Sequence, residues 1–332
     1  MQSREEIKSS EKFKTSIGGQ ALIEGIMMRG PEKDAIVVRK DGQLEIEINP
    51  RKKRPPKSFL CFPIIRGAVN FFDAQVCGVK AIMRSADLSS AQEDTPTKLD
   101  VWLEKKLGNK RYEKLIIAIG VALGLALSIG LFFLLPMVAS SLLADFIPNT
   151  LLLNLAEGAV RLVIFICYMI LVSRMKEMRR VFAYHGAEHK TIRCYEAQLP
   201  LTVENVRMQT RLHPRCGTSF LLVVMLLSIL VFSVASSLLL TVFPQLTAIS
   251  HTVGYKLIMV VYKLMLLPVV VAFSYEINRW AGRHDNLLTR IMTAPGMWFQ
   301  NFTTNEPDDA MIEVAIAALE AVIPREERSD RW

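Results

Sequence analysis

Residues 115–136 read LIIAIGVALGLALSIGLFFLLP, with no charged side chain among them. A run of roughly 20 such residues crosses the hydrocarbon core of a bilayer as a single helix. Three further stretches meet the same criterion: 151–173 (LLLNLAEGAVRLVIFICYMILVS), 219–243 (SFLLVVMLLSILVFSVASSLLLTVF) and 257–275 (LIMVVYKLMLLPVVVAFSY). Together they predict a mainly α membrane protein with four transmembrane helices. The chain is 51% hydrophobic over its 332 residues, a fraction that soluble domains also reach. The distribution decides the matter, because the first hundred residues and the last fifty are mixed and charged.

Lys and Arg set the orientation. The stretch between the second and third runs carries Arg174, Lys176, Arg179, Arg180, Lys190, Arg193, Arg207, Arg211 and Arg215, whereas 137–150 and 244–255 carry neither residue type. The middle loop is therefore expected in the cytoplasm, and an even number of spans puts both termini there too. The net charge of +8 and the pI of about 9.2 fit cytoplasmic loops beside anionic lipid. No nucleic-acid-binding motif argues otherwise. Cys61, Cys77, Cys167, Cys194 and Cys216 are odd in number and show no framework spacing, which fits a reducing compartment. The opening MQSREEIKSSEKFK lacks the apolar core of a signal peptide.

Upstream of the spans, GGQALIEGIMMRGP (18–31) is dense in glycine and reads as a tight loop around Glu24 and Arg29. Asp41-Gly42 between two β-rich runs predicts a hairpin with strands near 35–40 and 43–48. Arg51 to Pro56 reads as a basic loop. Residues 63–87 have a helical pattern, with Arg66, Asp73, Lys80 and Arg84 on one face and Ile65, Phe72, Val76 and Val79 on another. This predicts an amphipathic helix lying on the membrane or on other cytoplasmic parts. Residues 88–112 read as a polar linker. Near the end, Asn305-Glu306-Pro307-Asp308-Asp309 carries helix-start signals ahead of AMIEVAIAALEAV.

Three charges fall inside the apolar runs. Glu157 and Arg161 are four apart and share a helix face. Lys263 lies at a similar depth in the fourth run. Unpaired, each costs about 2.5–3.5 kcal/mol or more at mid-bilayer, so an intramembrane ion pair is expected. It serves either a polar pathway or helix register.

The segment AYHGAEHK places His185 and His189 four apart with Glu188 between them, the pattern H-x-x-E-H. On a helix both imidazoles can grip one metal ion, and the glutamate can act as a general base on bound water. LHPRCGTSF follows, with His213 and Cys216, immediately before the third span. Three of the five histidines in the chain lie in these two segments. Three arrangements stay open. Four ligands make a closed structural zinc site. Three leave a position for water and permit hydrolysis. Without a metal, the histidines are hydrogen-bonded interface residues. Glu24, Arg29 and Glu276 are further candidates to reach the cluster.

GGQALIEGIMMRGP, AYHGAEHKTIRCYEAQLPLTVENVR, LHPRCGTSF and TTNEPDDAMIEVA together resemble the YqhQ-like family of bacterial membrane proteins, from Gly18 to about Ala318. The resemblance implies a metal-dependent enzyme of the bacterial inner membrane. It also implies functional residues among Glu24, Arg29, His185, Glu188, His189, His213 and Cys216.

The leading expectation is a membrane-embedded zinc hydrolase acting on a lipid-linked or membrane-protein substrate. In it, Glu188 moves the proton and His185, His189, His213 and Cys216 surround the ion. The alternative is a scaffold that docks translocation machinery, a ribosome or a nucleotide ligand. Three regions are expected: 1–112, cytoplasmic, with the hairpin and amphipathic helix; 113–275, the four-helix region with its cytoplasmic loop 174–218; and 276–332, cytoplasmic helices. The oligomeric state is open.

Overall fold

The computed structural model describes residues 13–51, 60, 62–63, 65–89, 106, 108–250, 252–284, 286–324 and 330. The basic run after Arg51, Cys61 and most of the linker 88–112 lie outside the described residues. Two compact units emerge, one drawn from Met1–Ala91, Ile170–Leu222 and Tyr275–Trp332, the other from Gln92–Met169 and Val223–Ser274.

The first unit is built on a four-stranded antiparallel meander: β1 (Gly18–Leu22), β2 (Gly25–Arg29), β3 (Lys33–Lys40) and β4 (Gln43–Pro50). Asp41 and Gly42 both hold positive φ, 48° and 82°, as a two-residue turn matched to strand twist requires. The glycine-rich stretch expected as a loop forms β1 and β2 instead. Its apolar residues serve two cores. Ile26 and Met28 join Ala35 and Val37 on one face, and Leu22 and Met27 join Ile36 and Val38 on the other. A strand buried on both sides loses the polar alternation by which a strand is read. Gly19 is needed for close approach, since a Cβ there would meet Met27 O at 2.7 Å and Glu188 Cδ at 2.9 Å.

Helix α1 (Ile65–Ser89) covers the Leu22 face through Ala81. In the second unit lie α2 (Asn109–Ile129), a π-turn over Gly130–Leu134 and α3 (Leu135–Ser141). Then come α4 (Thr150–Arg174), α5 (Lys176–Glu196), α6 (Val203–Arg207), α7 (Gly217–Val242), α8 (Gln245–Ala248), α9 (Val253–Arg283), α10 (Leu287–Thr303) and α11 (Asp309–Val322). Among them, α5 and α11 cover the other face of the sheet through Tyr184, Ala187, Val314, Ala318 and Leu319. The start of α11 is capped by Asp308, whose carboxylate accepts the Met311 N–H at 2.8 Å.

Among the described residues four stretches of helix are long and apolar enough to cross a membrane: Leu115–Ser141, Thr150–Arg174, Gly217–Val242 and Val253–Arg283. The first runs past Pro136 because that proline falls in the opening turn of α3, where its missing N–H is tolerated.

Within the second unit, Glu157 Oε1 accepts both Arg161 at 2.7 Å and Lys263 at 2.5 Å. Arg161 also donates from Nε to the Phe132 carbonyl, 2.7 Å away in the π-turn. Its guanidinium lies 5.4 Å from the Phe133 ring and 5.5 Å from Phe232. Gly158 admits the neighbouring helix, for a Cβ there would come within 2.4 Å of Ile229.

Candidate metal site

Helix α5 carries His185, Glu188 and His189, and Cys216 stands immediately before α7. One ligand atom from each of His185, His189 and Cys216 falls within 4.8 Å of the others. His185 Nε2 is 3.2 Å from Cys216 Sγ, and the two imidazole centroids are 4.3 Å apart.

Both rings are oriented from behind. His185 Nδ1 lies 2.8 Å from the Thr303 carbonyl, and His189 Nδ1 lies 2.6 Å from the Arg211 carbonyl. A carbonyl only accepts, so each Nδ1 carries a proton, and Nε2 is the ring nitrogen left to meet Cys216 or a metal. This is the outer-shell arrangement that metal-binding histidines favour. The Nε2 of His189 is buried with no hydrogen-bond partner, as is Oε2 of Glu188. The other oxygen of Glu188 accepts the Gly19 N–H at 3.0 Å.

The backbone carbonyls are delivered by close packing. A Cβ on Gly186 would meet the Asn305 carbonyl at 2.0 Å, so only glycine lets the 303–307 segment lie on α5. Asn305 N–H donates to the Phe182 carbonyl at 2.8 Å. Gln300 clamps His213 by its backbone, accepting from its N–H at 2.7 Å and donating to its carbonyl at 2.7 Å. Arg211 is held by the Thr304 carbonyl.

Electrostatics follow from this crowding. Burial pushes the Cys216 thiol up, but His189 and His185 outweigh it and hold the group well below its usual range. The sulfur also accepts the Thr218 N–H at 3.4 Å, in the first turn of α7. Burial opposes a charged His185, yet Cys216 beside it lifts the imidazole to about 9. Glu188 is raised above the ordinary carboxylate range, first by burial and against the pull of the two histidines.

The other expected residues lie elsewhere. His213 packs on His189 with centroids 5.6 Å apart, but its Nε2 faces Glu196 at 3.4 Å, so among the described residues three side chains, His185, His189 and Cys216, fall together as a group that could hold a metal. Burial holds His213 down at about 4, against the pull of Glu196. Glu24 does not enter the ligand group. It sits at φ +50° in the β1–β2 turn and is paired with Arg180 at 2.6 and 2.5 Å. Arg29 pairs with Asp34 at 3.4 Å, and Glu276 accepts Arg66 at 2.7 and 2.5 Å. In each case a nearer opposite charge captures the group. Sequence reading missed Gly19, Thr303 and Arg211, which act through backbone atoms. The glycine pair at 18 and 19 was the only signal of the first.

The architecture is that of a protein with four helices fit to cross a membrane and a small sheet-based unit holding a buried His/Cys/Glu cluster. The chain belongs to the family described as "Protein of unknown function (DUF1385)", which it matches over residues 62–325. It is 32% identical over 330 residues to the uncharacterized protein YqhQ of Bacillus subtilis (strain 168), covering 97% of both chains. No solved structure matches it.

Proposed function

We propose that this is a metal-dependent hydrolase of the bacterial inner membrane, working at the cytoplasmic surface. His185, His189 and Cys216 would hold one zinc-type ion. The observation that carries the reading is the Nε2 of His189. It is a buried ring nitrogen without a close hydrogen-bond partner, held by its own Nδ1 hydrogen bond and grouped with Cys216 and a second imidazole. Leaving such an atom unpaired costs about 1–3 kcal/mol, which a metal bond offsets.

Two histidines and a thiolate form a suitable donor set for zinc, and three protein ligands leave room for a substrate or water. A bound ion of this kind would act as a Lewis acid and make water a nucleophile near neutral pH. Glu188 would handle the proton; in support, Oε1 accepts the Gly19 amide, Oε2 is buried and unpartnered, and burial raises its pKa above the ordinary carboxylate value. Gly19 thus orients the carboxylate. His213 and Glu196 position the loop that delivers Cys216.

The one-sided Lys and Arg of 174–215 support cytoplasmic termini and a cytoplasmic site. Cys216, next to the first residue of a membrane-length helix, favours a lipid-linked or membrane-protein substrate.

Metal content of the detergent-purified protein tests the proposal. One zinc per chain is expected, lost in His189→Ala and Cys216→Ala and retained in Glu188→Gln. In cells lacking the gene, Glu188→Gln should fail to complement while accumulating to normal levels. Zinc-free wild type after zinc is supplied would sink the metal reading. Full complementation by Glu188→Gln would leave a structural zinc and a docking scaffold as the better account.

A further inference from the structure

Helix α1 presents two different apolar faces. The face against the sheet is made of small residues, with Gly67, Gly78, Ala81 and Ser85 buried. A Cβ on Gly78 would meet the Gln20 side chain at 2.4 Å, and Ser85 Oγ accepts the Ile23 N–H at 3.2 Å. Bulky residues are on the opposite side. Phe72, Val76, Val79 and Met83 follow one another at spacings of four, three and four, which stacks them in a single row. They are 56%, 55%, 51% and 41% exposed, so the fold itself does not use them. Lys80 lies exposed along one flank of the row, next to Arg84, whose guanidinium donates to Glu47 at 2.7 Å.

The helix is anchored at a particular level. Arg66 pairs with Glu276, Asn70 donates to the Tyr275 hydroxyl at 2.9 Å, and the Phe71 ring is 6.0 Å from Phe220. Tyr275 is the last residue of the fourth apolar run, and Phe220 lies in the first turn of α7. The start of α1 is therefore tied to two places where membrane-length helices leave their apolar stretch. With those helices in a bilayer, their ends lie where headgroups meet acyl chains. A narrow bulky stripe with a cationic flank suits that boundary.

We propose that α1 is an in-plane lipid anchor, with Phe72, Val76, Val79 and Met83 embedded in an anionic leaflet and the small-residue face holding the sheet. The occupant of the stripe is the bilayer surface. The proposal rests on α1 alone and stands whether or not the chain binds a metal.

The full chain, reconstituted in phosphatidylglycerol-containing vesicles with a phospholipid bearing a photoactivatable diazirine in its acyl chain, provides the test. After illumination, mass spectrometry should find lipid adducts on the peptide containing residues 72–83 as well as on the four spans. A Phe72→Asn/Val76→Asn/Val79→Asn variant should lose the α1 adducts and keep those on the spans. Its unfolding temperature in detergent should match wild type, since these side chains are exposed. Adducts on the spans with none on α1 of the wild type would overturn the proposal, whatever the variant does. So would chain-to-chain cross-links through this row in place of lipid adducts, which would assign the stripe to a second copy.

Discussion

Two of the buried polar clusters are satisfied to different degrees. In the apolar second unit, one carboxylate oxygen of Glu157 takes both Lys263 and Arg161, and Arg161 reaches a backbone carbonyl as well. No fully buried polar atom of these three residues lacks a partner. In the sheet-based unit, His189 Nε2 and Glu188 Oε2 are both buried without one. A satisfied cluster in a low-dielectric setting fixes register and needs nothing further. An unsatisfied one is tolerated where a ligand completes it. On the proposed function the first is structural and the second carries the chemistry, although the first looks the more exotic in sequence.

The largest test of that assignment is Glu157→Ala. It would leave Arg161 and Lys263 buried without a counter-charge, and about 3–5 kcal/mol of stability should be lost on unfolding in detergent. Replacing all three by apolar or neutral residues, Glu157→Gln with Arg161→Met and Lys263→Met, should recover most of the loss and leave complementation intact. If the triple variant folds but fails to complement, the ion cluster is not merely structural.

His213 gives the next effect. Its ring is buried, and its folded pKa of about 4 lies below the ordinary 6.5. As pH falls through 6.5 the unfolded chain takes up the proton and the folded chain does not, until about 4. Stability should thus decline across that window, by an amount of order 3 kcal/mol at its lower end. Unfolding of wild type and His213→Gln at a series of pH values checks this. The variant should have the shallower slope.

Zinc sharpens the contrast directly. At a hundredfold excess over its dissociation constant, zinc should stabilise the wild type by about 2.7 kcal/mol. The gain should vanish in His189→Ala and persist in the triple variant of the ion cluster.

The smallest effect is expected at Glu24. Arg180 holds its carboxyl below the ordinary value, so its contribution is present above that value and fades as pH drops through the lowered one. The pair is part-exposed and screened, so Glu24→Gln should cost about 0–1 kcal/mol and leave complementation unchanged.

Much of this architecture was legible in the chain itself. The four spans were readable because crossing a bilayer depends on a local property, the length of an apolar run, and α1 and the Asp41-Gly42 hairpin were readable from periodicity and turn chemistry. The pairing of His185 with His189 needed only helix geometry, as did that of Glu157 with Arg161. β1 and β2 were not legible, because strands covered on both faces carry no alternation and their glycines imitate a loop.

Tertiary structure alone decided the rest of the site. Cys216 joins His185 across 31 positions, Glu188 meets an amide 169 positions upstream, and the two rings are aimed by carbonyls of Thr303 and Arg211. Backbone groups are common to every residue, so no letter of the sequence marks the ones that are used. It also separated candidates of identical chemical type. His213, Glu24, Arg29 and Glu276 were as eligible by composition as the residues that cluster. Glu24, Arg29 and Glu276 instead face an opposite charge brought near by the fold, and His213 a hydrogen bond to Glu196; at a few ångströms such contacts outweigh anything spacing along the chain can express.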